Sequence, residues 1–425
     1  MEHRLKASII NLALEFNLHI GVGSLAKGVD EVRSDIPFLR TGIIYLDNAA
    51  TTPTPEPVIE AMLDYYHEYS ASIGRGLHRA TKRATDEFES VREKIARVIN
   101  AKAEEIAYTK NTTEAINIVA QGVGLKKGDK IITSLFEHHS NLLPWQRLER
   151  ERGVKLEVVG SSKECLLEPS EFEAAIDKST RLIAIHHVSN AMGSIQPVEE
   201  IGKLARERGI LCLIDAAQSV GHIPVDVQNM GCDFLAAPGH KGLLGPQGTG
   251  FLYASEGRIS ELEPLLTGGG IVEDVGPHSS KLIGPPQMFD AGTPNIPGII
   301  GLGRACEYVM EIGIEKVAER ERNLTELMLK IGNIGQVEIY GPCDLARRGG
   351  VVSFNIEGLG PHDVASMLDE LAKIAVRSGH HCAQPTMRHL KINGTARASV
   401  HYFNLEQEIK KFVEVVEQIA RELGG

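Results

Sequence analysis

Along most of this chain, short apolar runs alternate with longer stretches in which an apolar residue recurs every three or four positions. The runs at 130–134, 181–187, 210–214 and 234–237, with another closing at Tyr253 after a glycine-rich turn, have the length of buried strands. The stretches at 56–69, 81–99, 111–121 and 197–209 carry the helical period instead. Strands separated by helices in this way predict an α/β fold with a largely parallel sheet. Further on, strands at 337–340 and 351–356 and a helix at 363–373 precede a last helix at 405–423. Apolar residues at 405, 409, 412, 413, 416, 419 and 423 set one face of that helix against a core. Near the start, VDEVRSDIPFL predicts a short helix entering an extended piece, and IIYLDNAATT a strand with a small-residue turn.

In an open α/β sheet the ligand site lies beyond the carboxyl ends of the strands, where this pattern gathers Asp215, Gln218, His240 and Lys241. A lysine and a carboxylate so placed suit pyridoxal 5'-phosphate. The lysine holds its aldehyde as a Schiff base, and the acid keeps the pyridine nitrogen protonated. Taken singly, Asp215 caps a loop and Lys241 is a solvated turn residue; taken together they point to the cofactor. Asn111 and Glu114 have capping-box spacing, so a helix starts here. Its free N–H groups and positive dipole end suit a phosphate, with Thr112 and Thr113 adding donors. Ala49, in its small-residue turn, lets a substrate approach the backbone. Cys382 lies in RSGHHCAQP, among residues that keep a loop open. A thiolate is the reactive form, and neighbouring His or Arg charge favours it. A metal site with His380 and His381 would lack further ligands at useful spacing, so no metal is expected.

The strings DAAQS and GHKGLLGPQGTG, preceded by YLDNAATT, NTTEAIN, EHHSN and HVSNAMG and followed by DAGTPN, RSGHHCAQP and TARAS, resemble the class V aminotransferases. Among these they are most similar to the cysteine desulfurases. The short spacing from Cys382 to Arg397 resembles the second, Suf-type group, which includes the selenocysteine lyases. The resemblance implies an α/β fold of the pyridoxal-phosphate type I class: a large domain with a mostly parallel sheet flanked by helices, and a smaller α+β C-terminal domain. It places the large domain at 47–296, the small one at 297–425, and a segment packing with the small domain at 29–46.

Carried over by motif, Lys241 is the Schiff-base lysine and the base at Cα, and His138 stacks on the pyridine ring. Asn190 bonds the phenolic oxygen. Thr112, Thr113, Gln218 and His240 complete the cofactor site, and Thr293 reaches the phosphate of a neighbouring subunit in a homodimer. Ala49, Arg75, Asn190 and Arg397 face the substrate, Arg397 gripping its carboxylate. The implied reaction converts L-cysteine, or L-selenocysteine, to L-alanine and leaves a persulfide on Cys382. An acceptor protein or thiol then takes the sulfur for iron–sulfur or thio-cofactor assembly. Alternatives are a cysteine or cystine C–S lyase, another class V enzyme, and a non-catalytic sulfur-carrying scaffold. Two positions depart from the family: Gly74, often histidine, and Pro238, usually a phosphate-binding Ser or Thr.

Composition narrows the partners. At 425 residues and 42% hydrophobic, the chain can bury a large core and hold two or three domains. Acidic residues exceed basic ones by 56 to 45, and a net charge of −11 argues against a nucleic-acid surface. No apolar run approaches the ~18 residues of a membrane helix, so no membrane partner is expected. Six cysteines, at 165, 212, 232, 306, 343 and 382, form no C-x-x-C pair, and a reducing cytoplasm is the expected compartment. Residues 1–28 lie outside the resemblance and predict an added amphipathic helix of unassigned role. They show no secretory cleavage site, and the acidic Glu15 speaks against a mitochondrial presequence.

Overall fold

Two strands that were not foreseen, Ile106–Thr109 and Lys155–Val159, join the five predicted apolar runs in one seven-stranded sheet. Its spatial order is Ile106–Thr109, Gly250–Ala254, Phe234–Pro238, Leu211–Asp215, Thr180–His186, Lys130–Ser134 and Lys155–Val159. This computed structural model describes residues 27–74 and 76–424; expectations placed on residues 1–26 and on Arg75 lie outside the described residues. All strands run parallel except Gly250–Ala254, which is antiparallel to both neighbours. The reason is the connection before it: residues 239–249 contain no helix that could carry the chain back across the sheet. That reversing loop carries His240 and Lys241.

Both faces of the sheet are covered, so successive strand residues are apolar rather than alternating with polar ones. Ile132, Ile183, Ile185 and Ile214 pack on one side with Phe88, Ile95, Ile201 and Leu302. Their chain neighbours Ile131, Leu182, Ala184 and Leu213 pack on the other with Ile116, Val119, Trp145 and Leu148. The period-two register thus feeds two separate cores. Cys212 is fully buried in the first of them.

A second, antiparallel sheet has the order Val337–Tyr340, Val351–Ile356, Thr395–Ser399, Arg377–Gly379. Helices Ile314–Met328, Pro361–Ala372 and Glu406–Leu423 bury Leu324, Leu368, Phe412 and Val416 against it. The last helix follows its predicted face except at its end, where Leu423 is exposed. Ile44–Tyr45 pairs in parallel with Ile374–Ala375, and Arg33 Nη2 meets Glu408 Oε1 at 2.5 Å. The piece expected to be extended before it is a 3-10 turn, Pro37–Thr41. Pro37 at its first position presets the helical φ, and Gly42 at φ +76 ends it.

Helix Val198–Glu207 lies so close to the turn of helix Val227–Met230 that a Cβ on Gly202 would stand 2.0 Å from Met230 O. Gly202→Ala is therefore expected to cost about 1–3 kcal/mol. A thermal melt should show this as a lowered midpoint, with the exposed Lys203→Ala on the same helix as an unaffected control.

Candidate active site

A cavity of about 220 Å3 opens where the strands ending at Asp215 and Pro238 deliver their carboxyl ends. Asp215 and Lys241 both line it. Burial pushes the Lys241 amine down to about 8 against the attraction of Asp215, and the charges of Arg397 and Arg377 push it further the same way. Burial raises the Asp215 carboxyl to about 6, opposed by the Ala217 N–H that donates to Oδ1 at 3.0 Å. The chain behind the carboxylate is held too, since the His187 N–H donates to Asp215 O at 2.9 Å.

His138 enters the cavity from the loop after Lys130–Ser134. The Ser140 N–H donates to its Nδ1 at 3.1 Å, so that nitrogen carries no proton. Burial and then the charge of Lys241 push the imidazole down to about 3, leaving a neutral ring in the wall. His240 is likewise pushed down to about 4 by burial, with Nδ1 3.0 Å from Thr51 Oγ1.

Beneath Asp215 lies a second layer. Fully buried Glu137 accepts from Ser134 Oγ at 2.5 Å, Asn141 Nδ2 at 2.7 Å and His186 Nδ1 at 2.8 Å. Gln196 accepts the Leu167 N–H with Oε1, so its Nε2 must be the donor to His186 Nε2 at 2.9 Å. His186 is thereby held as the Nδ1–H tautomer beside Asp215, its register partner in the sheet.

The helix Thr112–Gly122 points its N-terminus at the cavity, capped by Asn111 Oδ1, which accepts from Glu114 N at 2.9 Å. Thr112 Oγ1 is buried there without a hydrogen-bond partner among the described residues. An orphaned hydroxyl at a helix N-terminus fits a phosphate. Pro238, in the same wall, offers no N–H. A buried amine, a carboxylate, a neutral ring and this phosphate-fitting end together match the parts of pyridoxal phosphate.

On the opposite side stands Arg397, fully buried. Its Nη1 donates to Asn190 O and its Nη2 to Asp47 Oδ1, both at 2.9 Å, while Nε has no partner among the described residues. Arg377 lines the cavity as well and sits directly opposite Arg397 on the adjacent strand. Two guanidinium groups against one aspartate leave an unspent positive charge suited to a carboxylate.

Cys382 is half-buried beside this cavity but does not form its wall. It and His381 take consecutive left-handed conformations, φ 57 and 52, which L side chains rarely adopt. Three bonds hold them. Asn190 Nδ2 donates to His381 O at 2.6 Å, the His139 N–H donates to Cys382 O at 2.9 Å, and His381 Nε2 lies 2.9 Å from Thr395 Oγ1.

The sequence matches the family model described as aminotransferase class-V over residues 44–412. The chain belongs to the class V aminotransferase family. A protein of Methanothermobacter thermautotrophicus described as a probable cysteine desulfurase is 50% identical over 395 residues, 92% of this chain and 98% of its own. One of Pyrococcus abyssi with the same description is 50% identical over 398 residues, 93% and 98%. The apo structure of cysteine desulfurase from Thermococcus onnurineus NA1 is 48% identical, with a TM-score of 0.90, covering 93% of this chain and 99% of that one.

Of the residues expected at this class V site, Ala49, Thr112, Thr113, His138, Asn190, Asp215, Gln218, His240, Lys241 and Arg397 line the one cavity. Two behave differently from expectation in detail. Gln218 Nε2 is engaged with Ala49 O at 2.7 Å, and the Asn190 amide with the cysteine loop. Thr293 is exposed and borders another cavity, of about 500 Å3, together with Gly74 and Asp290. Asp47 and Arg377 went unassigned in the motif reading, although both stand inside quoted strings. Their signal was a charge beside small residues, which acquires meaning only through Arg397.

A lysine whose pKa falls on folding makes the folded chain bind fewer protons than the unfolded one between about 8 and the ordinary value near 10.5, so stability gains with pH in that window. Cofactor-free Lys241→Ala is accordingly expected to melt above the wild type below pH 8. The gap should close as pH rises through that range, as read in parallel thermal melts.

Proposed function

We propose that this chain is a pyridoxal-phosphate-dependent cysteine desulfurase that converts L-cysteine to L-alanine and collects the sulfur on Cys382. The observation that carries the reading is one cavity holding Lys241, Asp215 and neutral His138, with Arg397 tied through Asn190 to the Cys382 loop. The 50%-identical relatives described as probable cysteine desulfurases support it. When bound, the cofactor supplies a sink for the electron pair left at the substrate Cα.

Lys241 would hold the cofactor, and Asp215 would keep a proton on the pyridine nitrogen. Thr112, Thr113 and His240 would take the phosphate. Arg397, with Arg377 beside it, binds the substrate carboxylate and so fixes which bond at Cα faces Lys241. With its amine near 8, Lys241 can take the Cα proton in the neutral range and return it later. The Cys382 thiolate attacks the substrate sulfur. An S–S bond forms as the Cβ–S bond breaks, and the pair from that bond goes to the three-carbon fragment, which is protonated and leaves as alanine. Cys382 retains a persulfide, and an acceptor thiol or protein must remove the outer sulfur before the next turnover. L-Selenocysteine fits the same sequence of steps.

Thr293 and its exposed loop favour a homodimer in which this loop completes the neighbour's phosphate site. A C–S lyase is favoured by one observation, the position of Cys382 outside the cavity wall. Incubation with L-cysteine and a reductant separates the two. Alanine equal to sulfide supports the desulfurase, and pyruvate with sulfide supports the lyase. Cys382→Ala is expected to lose alanine formation by about 100-fold or more while keeping bound cofactor. Arg397→Lys, which lacks the planar fork, should lower kcat/KM for L-cysteine by about 10- to 100-fold, mostly through KM.

A further inference from the structure

Lys241 is followed by a turn that three buried polar side chains reach from elsewhere in the chain, and none of them touches the cavity described above. His222 comes from the loop that follows Asp215, Glu321 from helix Ile314–Met328, and His401 from just beyond strand Thr395–Ser399. Their exposures are 7%, 3% and 0%. Glu321 Oε1 and Oε2 lie 2.9 and 3.1 Å from His222 Nδ1, and among the described residues Glu321 pairs with no Lys or Arg.

The hydrogen bonds determine what the cluster is for. The Tyr402 N–H donates to His401 Nδ1 at 2.8 Å, and His401 Nε2 faces Gly242 O at 3.1 Å. An N–H cannot accept and a carbonyl cannot donate, so His401 is the neutral Nε2–H tautomer and both its nitrogens are committed. The ligand-type atoms of the three residues lie within 4.8 Å of one another, but a metal ion would have to take a nitrogen from Gly242 or Tyr402. The cluster is therefore read as hydrogen-bonded. Its target is backbone: a Cβ on Gly242 would stand 2.7 Å from His222 Cδ2 and 2.4 Å from Val220 O. From the other side Thr52 Oγ1 donates to Lys241 O at 2.6 Å.

We propose that Glu321, acting through His222 and beside His401, is a positioning residue that clamps the Lys241–Gly242 turn and so sets where the Lys241 amine stands. Electrostatics agree with an uncharged clamp. Burial raises Glu321 to about 8 and lowers His222 and His401 to about 4, Lys241 adding to the fall at His222, and His222 to that at His401 against the opposing pull of Glu321. A protonated Glu321 then donates to His222 Nδ1. The other nitrogen, His222 Nε2, is buried without a partner among the described residues. His222 also borders a cavity of about 10 Å3 shared with Gln218 and Ser399, room for a single water.

The proposal rests on Lys241 being the cofactor lysine, and its test separates the two ideas. Glu321→Ala, Glu321→Gln and His401→Asn are made in the full chain and studied loaded with pyridoxal phosphate and stripped of it. In the loaded enzyme the pH midpoint of the visible absorbance reports the Lys241 nitrogen. In the stripped enzyme the pH dependence of Lys241 acetylation by acetic anhydride, read by peptide mass spectrometry, reports the same nitrogen without cofactor or cysteine. A loosened turn hydrates Lys241, so Glu321→Ala and His401→Asn should move both midpoints by about 0.5 unit or more, the stripped enzyme's upward. They should also lower kcat about tenfold with little change in KM.

Glu321→Gln keeps the size and an N–H toward His222 and should restore the wild-type midpoints. If Glu321→Ala does not fold, His401→Asn decides, because it keeps an acceptor for Tyr402 while removing the donor to Gly242 along with the ring that stacks on Phe403. Melting midpoints that fall while both pH midpoints stay put would mean packing alone and overturn the clamp. So would a stoichiometric divalent ion in the purified enzyme. A wild type that makes no alanine would instead count against the desulfurase reading, and the acetylation series would still judge the clamp.

Discussion

The site depends on holding an amine and two guanidinium groups, Lys241, Arg377 and Arg397, close together in one cavity. Unopposed, those charges would be expelled or neutralised, since burial penalises the charged form and like charges add to the penalty. Asp215 answers Lys241 from the end of a central strand, and Asp47 answers Arg397 from the segment that enters the second sheet. Two acids answer three cations, so one positive charge is left over on the cavity wall, where Arg377 stands beside Arg397. An amine lowered to about 8 is the consequence, and it is what makes Lys241 usable as a base.

The same charges join the two sheets. Arg397 rises from the antiparallel sheet and donates to Asn190 O in the loop after the interior strand Thr180–His186 of the larger one, and Asn190 in turn donates to His381 O. Arg397 and the Cys382 loop are therefore linked through a single asparagine. The left-handed pair His381–Cys382 is tolerable only because these bonds over-determine it. A loop with that backbone, free in solution, would relax to ordinary φ values and carry the thiol elsewhere.

How much of this was legible beforehand differs by residue. Lys241, Asp215 and the Thr112 helix start were readable because each ends an apolar run or begins a periodic one, and the carboxyl-end rule for parallel sheets then puts them together. The commitment of the Asn190 amide to the Cys382 loop was not readable, because Asn190 and His381 are 191 residues apart and their bond exists only once two sheets have docked. Nor was the 3-10 turn at Pro37–Thr41 foreseen, although Pro37 and Gly42 each carried a local signal for it. The buried cluster at His222, Glu321 and His401 had no signal at all in its three separate neighbourhoods.

By itself, then, the sequence determined most strand and helix segments, the parallel architecture and the places of Asp215, Lys241 and the Thr112 helix start, because these follow from local periodicity and from strand ends; His138, Asn190, Arg397 and Thr293 were readable only through the motif resemblance. Tertiary structure alone decided which of those residues share a cavity, how far burial moves the Lys241 and Asp215 protons, and that Thr293 lines a different cavity. The reason is physical: desolvation and hydrogen-bond partnership are properties of a packed environment, and no stretch of the chain possesses them before distant elements meet.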